Sequence, residues 1–157
     1  MSTIKELLTN NQSITCTITS LANNGQRQST AIDNTSNQDL DASVMVKVKS
    51  AGSSVSATGS VNVYAYGSSD GGTTYSDTCT GTDGAVTLTS PPNVKLIGII
   101  NVVANSTTYI GGPFSVAAAF GGILPGKWGI VVENKTGAAL DASVGSAIYE
   151  RVQGQTV

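Results

Sequence analysis

A chain of 157 residues suits one domain, which buries roughly 68 to 70% of the surface its unfolded form exposes and needs no staple. Charged residues make up 11% of it, the net charge is −2, and Arg27 and Arg151 are its two arginines, so it has no basic footprint for nucleic acid. It contains no histidine, which excludes the usual zinc sets and every His-based catalytic triad.

In chain order, Thr3 to Leu8 is predicted as a short helix, with Ser2 or Thr3 as its cap and Ile4, Leu7 and Leu8 on one side. Residues 1–12 form an N-terminal arm. The arm has neither a basic leader nor an apolar stretch of signal-peptide length, and no later run approaches the roughly 20 apolar residues of a membrane span. The expectation is a product made in a cytoplasm, with no membrane partner. After the arm everything reads as β. Ile14, Cys16 and Ile18 alternate with threonines, and Val44, Val46 and Val48 alternate with Met45, Lys47 and Lys49, the two-residue period of half-buried strands. Further predicted strands are Gln28 to Ile32, Val61 to Tyr66, Thr74 to Cys79, Ala85 to Leu88, Leu96 to Val103, Thr107 to Ile110, Phe114 to Phe120, Trp128 to Glu133 and Val144 to Val152. Ser50 to Gly59 reads as an exposed loop between paired strands, and Gly111-Gly112-Pro113 and Leu124-Pro125-Gly126 read as turns. No linker divides the series. The fold class is therefore all-β, with residues 1–157 in one closed antiparallel sandwich.

One phrase is written twice, a hundred residues apart. Ile32-Asp33-Asn34 leads through a polar loop to Leu40-Asp41-Ala42-Ser43-Val44, and Val132-Glu133-Asn134 leads to Leu140-Asp141-Ala142-Ser143-Val144. Each copy predicts a strand, a turn and a strand. Asn34 and Asn134, and Asp41 and Asp141, bond forward to their own backbone. Leu40 and Leu140 are expected to anchor the turns. The run Leu96 to Val103 departs from alternation, because both its faces are apolar. Its second face needs a cover: a loop, the N-terminal helix or another chain. Another chain is the hypothesis for that cover, with Ile97, Ile99 and Val103 as the candidate interface strand.

The remaining motifs point away from chemistry. Ser68-Ser69-Asp70-Gly71-Gly72-Thr73-Thr74-Tyr75 resembles the Asp-box turn of sialidase propeller blades. In it Asp70 and the hydroxyls of Ser68 and Thr74 satisfy turn amides, and Gly72 takes positive φ. Two arginines cannot build an arginine-triad sialic acid site. Asp70, Asp77 and Asp83 lie in one Gly-rich stretch, but at the wrong spacing for an EF-hand loop, so they read as turn residues and no metal or cofactor is expected. No acid pair has glycosidase placement, and no Ser-x-x-Lys arrangement offers a nucleophile. No catalytic residue is assigned. Tyr64 and Tyr66 share a strand face, either as a sugar platform or, as preferred, as packing. Trp128 reads as core. Cys16 and Cys79 read as buried thiols on strands, with a disulfide the alternative.

Val61 to Thr73 and Ser115 to Ala138, together with the Asp33-Asn34-Thr35 turn, resemble small virion proteins of tailed bacteriophages. The resemblance implies a jelly-roll sandwich displayed on the virion, in most cases as a head decoration or cement protein. Its partners would be the major capsid protein or sister copies in a homo-oligomer. A second reading, from a different class, is a tail or collar module that recognises a host glycan or receptor. A secreted carbohydrate-binding module is disfavoured by the lack of a signal peptide.

Overall fold

The alternating runs close into two antiparallel sheets packed face to face. A computed structural model describes residues 3–156. In chain order the elements are β1 (Ile4–Ile14), β2 (Gln26–Gln28), β3 (Ile32–Asp33), β4 (Asp41–Lys49), β5 (Ser60–Ser68), β6 (Gly84–Ala85), β7 (Lys95–Asn101), β8 (Thr108–Ser115), α1 (Val116–Ala119), β9 (Lys127–Lys135) and β10 (Gly145–Thr156). One sheet, here sheet A, has the order β1-β10-β4-β8; the other, sheet B, has the order β6-β2-β9-β5-β7, with β3 also pairing β9. With β2 and β3 taken as one interrupted strand, this is the jelly-roll order of two Greek keys.

The core lies between the sheets. Val44, Val46 and Val48 of β4 and Val61, Val63 and Ala65 of β5 point inward and are fully buried, as their period demands. Trp128 and Ile130 fill the centre, and Trp128 meets the ring of Tyr149 edge to face at 5.2 Å. A second, smaller core lies on the far face of sheet B. There Tyr66 and Val131 are covered by Cys79, Leu88 and Val94 from the long excursion between β5 and β7.

Several local expectations are corrected. Thr3 to Leu8 is not a helix but the first half of β1, paired from Ile4 opposite Thr156 to Thr9 opposite Arg151; Ser2, offered as a cap, lies outside the described residues. A helix this short is marginal in water, whereas β10 satisfies the same backbone as a strand. Thr74 to Cys79 forms no strand, and Ala85 to Leu88 keeps only the end of β6, because this stretch crosses the outer face of sheet B and joins the sheet only through β6 at its edge. Phe114 to Phe120 divides at Ser115, whose Oγ accepts from the Ala118 amide (3.1 Å) and caps α1. The Ser50 to Gly59 loop does not join paired strands. It carries the chain from β4 in sheet A to β5 in sheet B. Gly111-Gly112-Pro113 is a bulge within β8, not a turn between elements: Val44 pairs Phe114 and Val46 pairs Gly111. Gly112 sits there at φ +118°, and a Cβ would collide with the Val44 carbonyl oxygen.

Candidate functional site

The two copies of the repeat are neighbours in both sheets. Each leaves sheet B and enters sheet A, so that β3 pairs β9 and β4 pairs β10. Asn34 closes its loop by accepting the Asp39 amide (2.7 Å) and donating to the Asp39 carbonyl (3.1 Å). Asn134 accepts the Thr136 amide (2.9 Å) and donates to the carbonyls of Ala138 and Leu21 (2.8 Å each). Asp141 accepts from the Ser143 hydroxyl and amide. Those bonds, with Lys49 at 3.2 Å, bring its carboxyl down to about 2. Asp41 accepts its neighbour's amide at Ala42 and also holds Ser115 Oγ (2.6 Å) and the Ala117 amide (2.8 Å), fastening α1 to sheet A. The leucines part company. Leu140 is buried in the core with its amide on the Leu21 carbonyl, whereas Leu40 is 59% exposed beside the end of β10. The expectation that Leu40 anchors its turn is therefore corrected, because among the described residues nothing corresponding to the Leu21 loop folds over the first copy.

The Asp-box segment is a self-contained knot. Asp70 Oδ1 accepts Ser68 Oγ (2.7 Å) and the amides of Thr73 and Thr74, and Oδ2 accepts Thr74 Oγ1 (2.6 Å). These bonds hold its carboxyl well below the usual range. Ser68 Oγ in turn accepts the Gly72 amide (2.9 Å), with Gly72 at φ +92°. Tyr75 leaves the knot to pack edge-on against Tyr66, 5.5 Å between rings.

Asp77 and Asp83 serve separate networks. Asp77 accepts the amides of Thr89 and Asn93. Asp83 takes Arg27 Nε at 2.7 Å and the amide and hydroxyl of Thr17, and is brought down to about 2, chiefly by Arg27. Among the described residues no group of three His, Cys, Asp or Glu side chains is placed to hold a metal ion. Cys16 and Cys79 are free thiols in loops, not on strands as expected, and burial pushes both up to about 12. Neither offers a thiolate at neutral pH.

Sequence reasoning missed one polar network. Glu133, buried on β9, accepts Gln26 Nε2 (2.8 Å), Asn62 Nδ2 (3.0 Å) and Tyr64 Oη (3.0 Å), with Lys135 Nζ at 3.2 Å. Burial pushes its carboxyl up, but those donors outweigh it and the net shift is downward. Glu133 borders a cleft of about 470 Å³ between the Leu21 to Gln26 loop and Ala85 to Leu88. Its oxygens are engaged by these donors, and the carboxylate holds the Gln26, Asn62 and Tyr64 side chains in place. Glu133 directly follows the apolar run Trp128 to Val132, but its partners come from other strands. Tyr66, by contrast, is packing: it is fully buried and donates to the Ser29 carbonyl at 2.7 Å.

The candidate interface strand is β7, an edge of sheet B. Ile99 is 53% and Val103 49% exposed, with Leu96 beside them, and among the described residues no loop or arm covers them. Ile97 instead turns toward the core, because a register shift pairs Val63 with Gly98 and Tyr64 with Leu96. A second surface carried no sequence signal. The outer face of sheet A presents Leu8, Met45 and Ile110 to solvent, with Ile148 half-buried among them. No protein-family model matches the chain, and comparison with curated proteins gives no match.

Proposed function

We propose that this chain is a non-enzymatic structural protein of a bacteriophage virion, a decoration protein that binds the capsid surface and stabilises the head. One observation carries the reading: a chain with few charges leaves large apolar side chains exposed on two surfaces, the outer face of sheet A and the edge strand β7. Apolar clusters of this kind on a folded domain mark docking surfaces, and hydroxyl and amide neighbours are cheap to dehydrate beside them. The acidic side chains support the same reading, because Asp70, Asp77, Asp83 and Asp141 are occupied in closing loops. The major capsid protein is the partner this reading implies, with β7 as the contact strand.

A quantified protein gel of purified particles, normalised to the major capsid protein, tests this directly. Hundreds of copies per particle are expected, and particles lacking the protein are expected to break at lower temperature. The second reading, a tail or collar module that recognises a glycan or receptor, draws support from the cleft beside Glu133, Gln26 and Lys135. It requires few copies and a loss of adsorption, with head stability unchanged.

A further inference from the structure

The outer face of sheet A is built in rungs whose ends carry opposite charge. Across β10 and β4 the outward pairs are Val152 with Asp41, whose carboxylate is engaged by Ser115 and the Ala117 amide, then Glu150 with Ser43, Ile148 with Met45, and Ser146 with Lys47. Serines flank the apolar rung on both sides, which lets another surface approach closely. On β8, Ile110 pairs with Lys47 and extends the apolar part of the face. The chain has five ion pairs among the described residues, and they engage Arg27, Lys49, Lys127, Lys135 and Arg151. Lys47 and Glu150 belong to none of them. Two hollows, of about 370 and about 170 Å³, open on this face and share Met45 and Ile148.

We infer that the occupant of this face is a second copy of the same chain, packed face to face about a two-fold axis that runs across the strands through the Met45–Ile148 rung. Such an axis interchanges the two rungs that flank it, so each Lys47 stands over the Ser43–Glu150 rung of the other copy. Two Lys47–Glu150 contacts then flank a centre of Met45 and Ile148. The alternative two-fold, parallel to the strands, sets like ends of the face over one another and leaves all four charges without partners. Charge therefore selects one geometry, as an isologous contact requires. Four strands about 4.8 Å apart make a face roughly 19 Å wide, and paired sheets lie about 10 Å apart. That is a contact at the low end of stable interfaces. The inference goes beyond the virion reading and stands whether or not the chain sits on a particle, because it concerns the purified protein in solution.

Sedimentation equilibrium of the full chain tests it. The expected mass is twice the 15.9 kDa of the chain. Lys47→Glu and Glu150→Lys, each an outward-facing change, are expected to weaken association about tenfold or more by setting like charges opposite one another. The double variant restores it. Met45→Asp gives a monomer, and circular dichroism melts taken where every protein is monomeric confirm that all variants fold. A wild-type monomer at ~100 µM, a concentration at which an interface of micromolar dissociation constant is mostly dimeric, would overturn the inference. So would a dimer indifferent to the single reversals, or single losses that the double variant fails to repair.

Discussion

The two outer faces of this sandwich solve one problem in different ways. Sheet B folds its own excursion, Ser69 to Val94, over Tyr66 and Val131 and makes a second core. The cover is fastened at successive positions of β2: Gln26 accepts the Leu88 amide, Arg27 binds Asp83, and Gln28 accepts the Thr80 amide. Among the described residues sheet A has no such cover, and Met45 and Ile110 meet water at 37% and 61% exposure. The difference teaches that apolar residues on a strand's second face mean burial in the one sheet and an open apolar surface in the other. What separates them is whether a long loop has side-chain partners on the strand beneath it.

Paired substitutions sharpen the contrast. Val131→Asp puts a carboxylate into the covered face and is expected to cost about 4 kcal/mol or more, lowering the melting midpoint by roughly 12 °C. Met45→Asp on the open face is expected to change it by no more than about 0.5 kcal/mol in dilute, dissociated protein. Equal costs would mean that the two faces are alike. The repeat allows the same comparison at smaller scale. Leu140→Ala should cost about 3 kcal/mol, while Leu40→Ala stays within about 0.5 kcal/mol, both read from urea unfolding.

Cutting one fastening of the cover comes next. Arg27→Ala is expected to cost about 1 kcal/mol and to expose the Ser69 to Val94 amides to faster hydrogen exchange. Asp83 adds a pH signature. Its folded value near 2 lies below the ordinary carboxylate value of 3.8, so the unfolded chain takes up the proton first as pH falls. The stabilisation is complete above about pH 5 and is lost as pH drops through 2. Asp83→Asn should flatten that part of an acid unfolding profile; an unchanged profile would remove Asp83 from the account. Asp70→Asn has the smallest expected effect. It should shift the amide resonances of Thr73 and Thr74, which bond to that carboxylate, and leave the melting midpoint where it is.

Much of the fold was legible because alternation is a local signal. β4, β5 and β10 fall where apolar residues alternate with polar ones, β9 falls on the continuous apolar run from Trp128, and the Asn and Asp turns close through bonds within a few residues. What failed depended on distant partners. Ile4, Leu7 and Leu8 fit a helical face as well as a strand, and only β10, about 150 residues later, decides for the strand. Leu40 and Leu140 are the same residue in the same phrase, yet only one meets the Leu21 loop. The apolar run of β7 showed in the sequence that two faces needed cover, but not which side chain lies on which: a register shift turns Ile97 inward and leaves Ile99 exposed. The Glu133 network and the open face of sheet A escaped because each is assembled from several strands, with no motif in any one of them.

The central claim is that the molecule works as a shaped surface, and adding purified protein back to heads that lack it tests this most directly. Saturable binding at hundreds of copies per head, with a rise in the temperature at which heads break, is the predicted result. Binding of only a few copies, or none, with head stability unmoved, would contradict it.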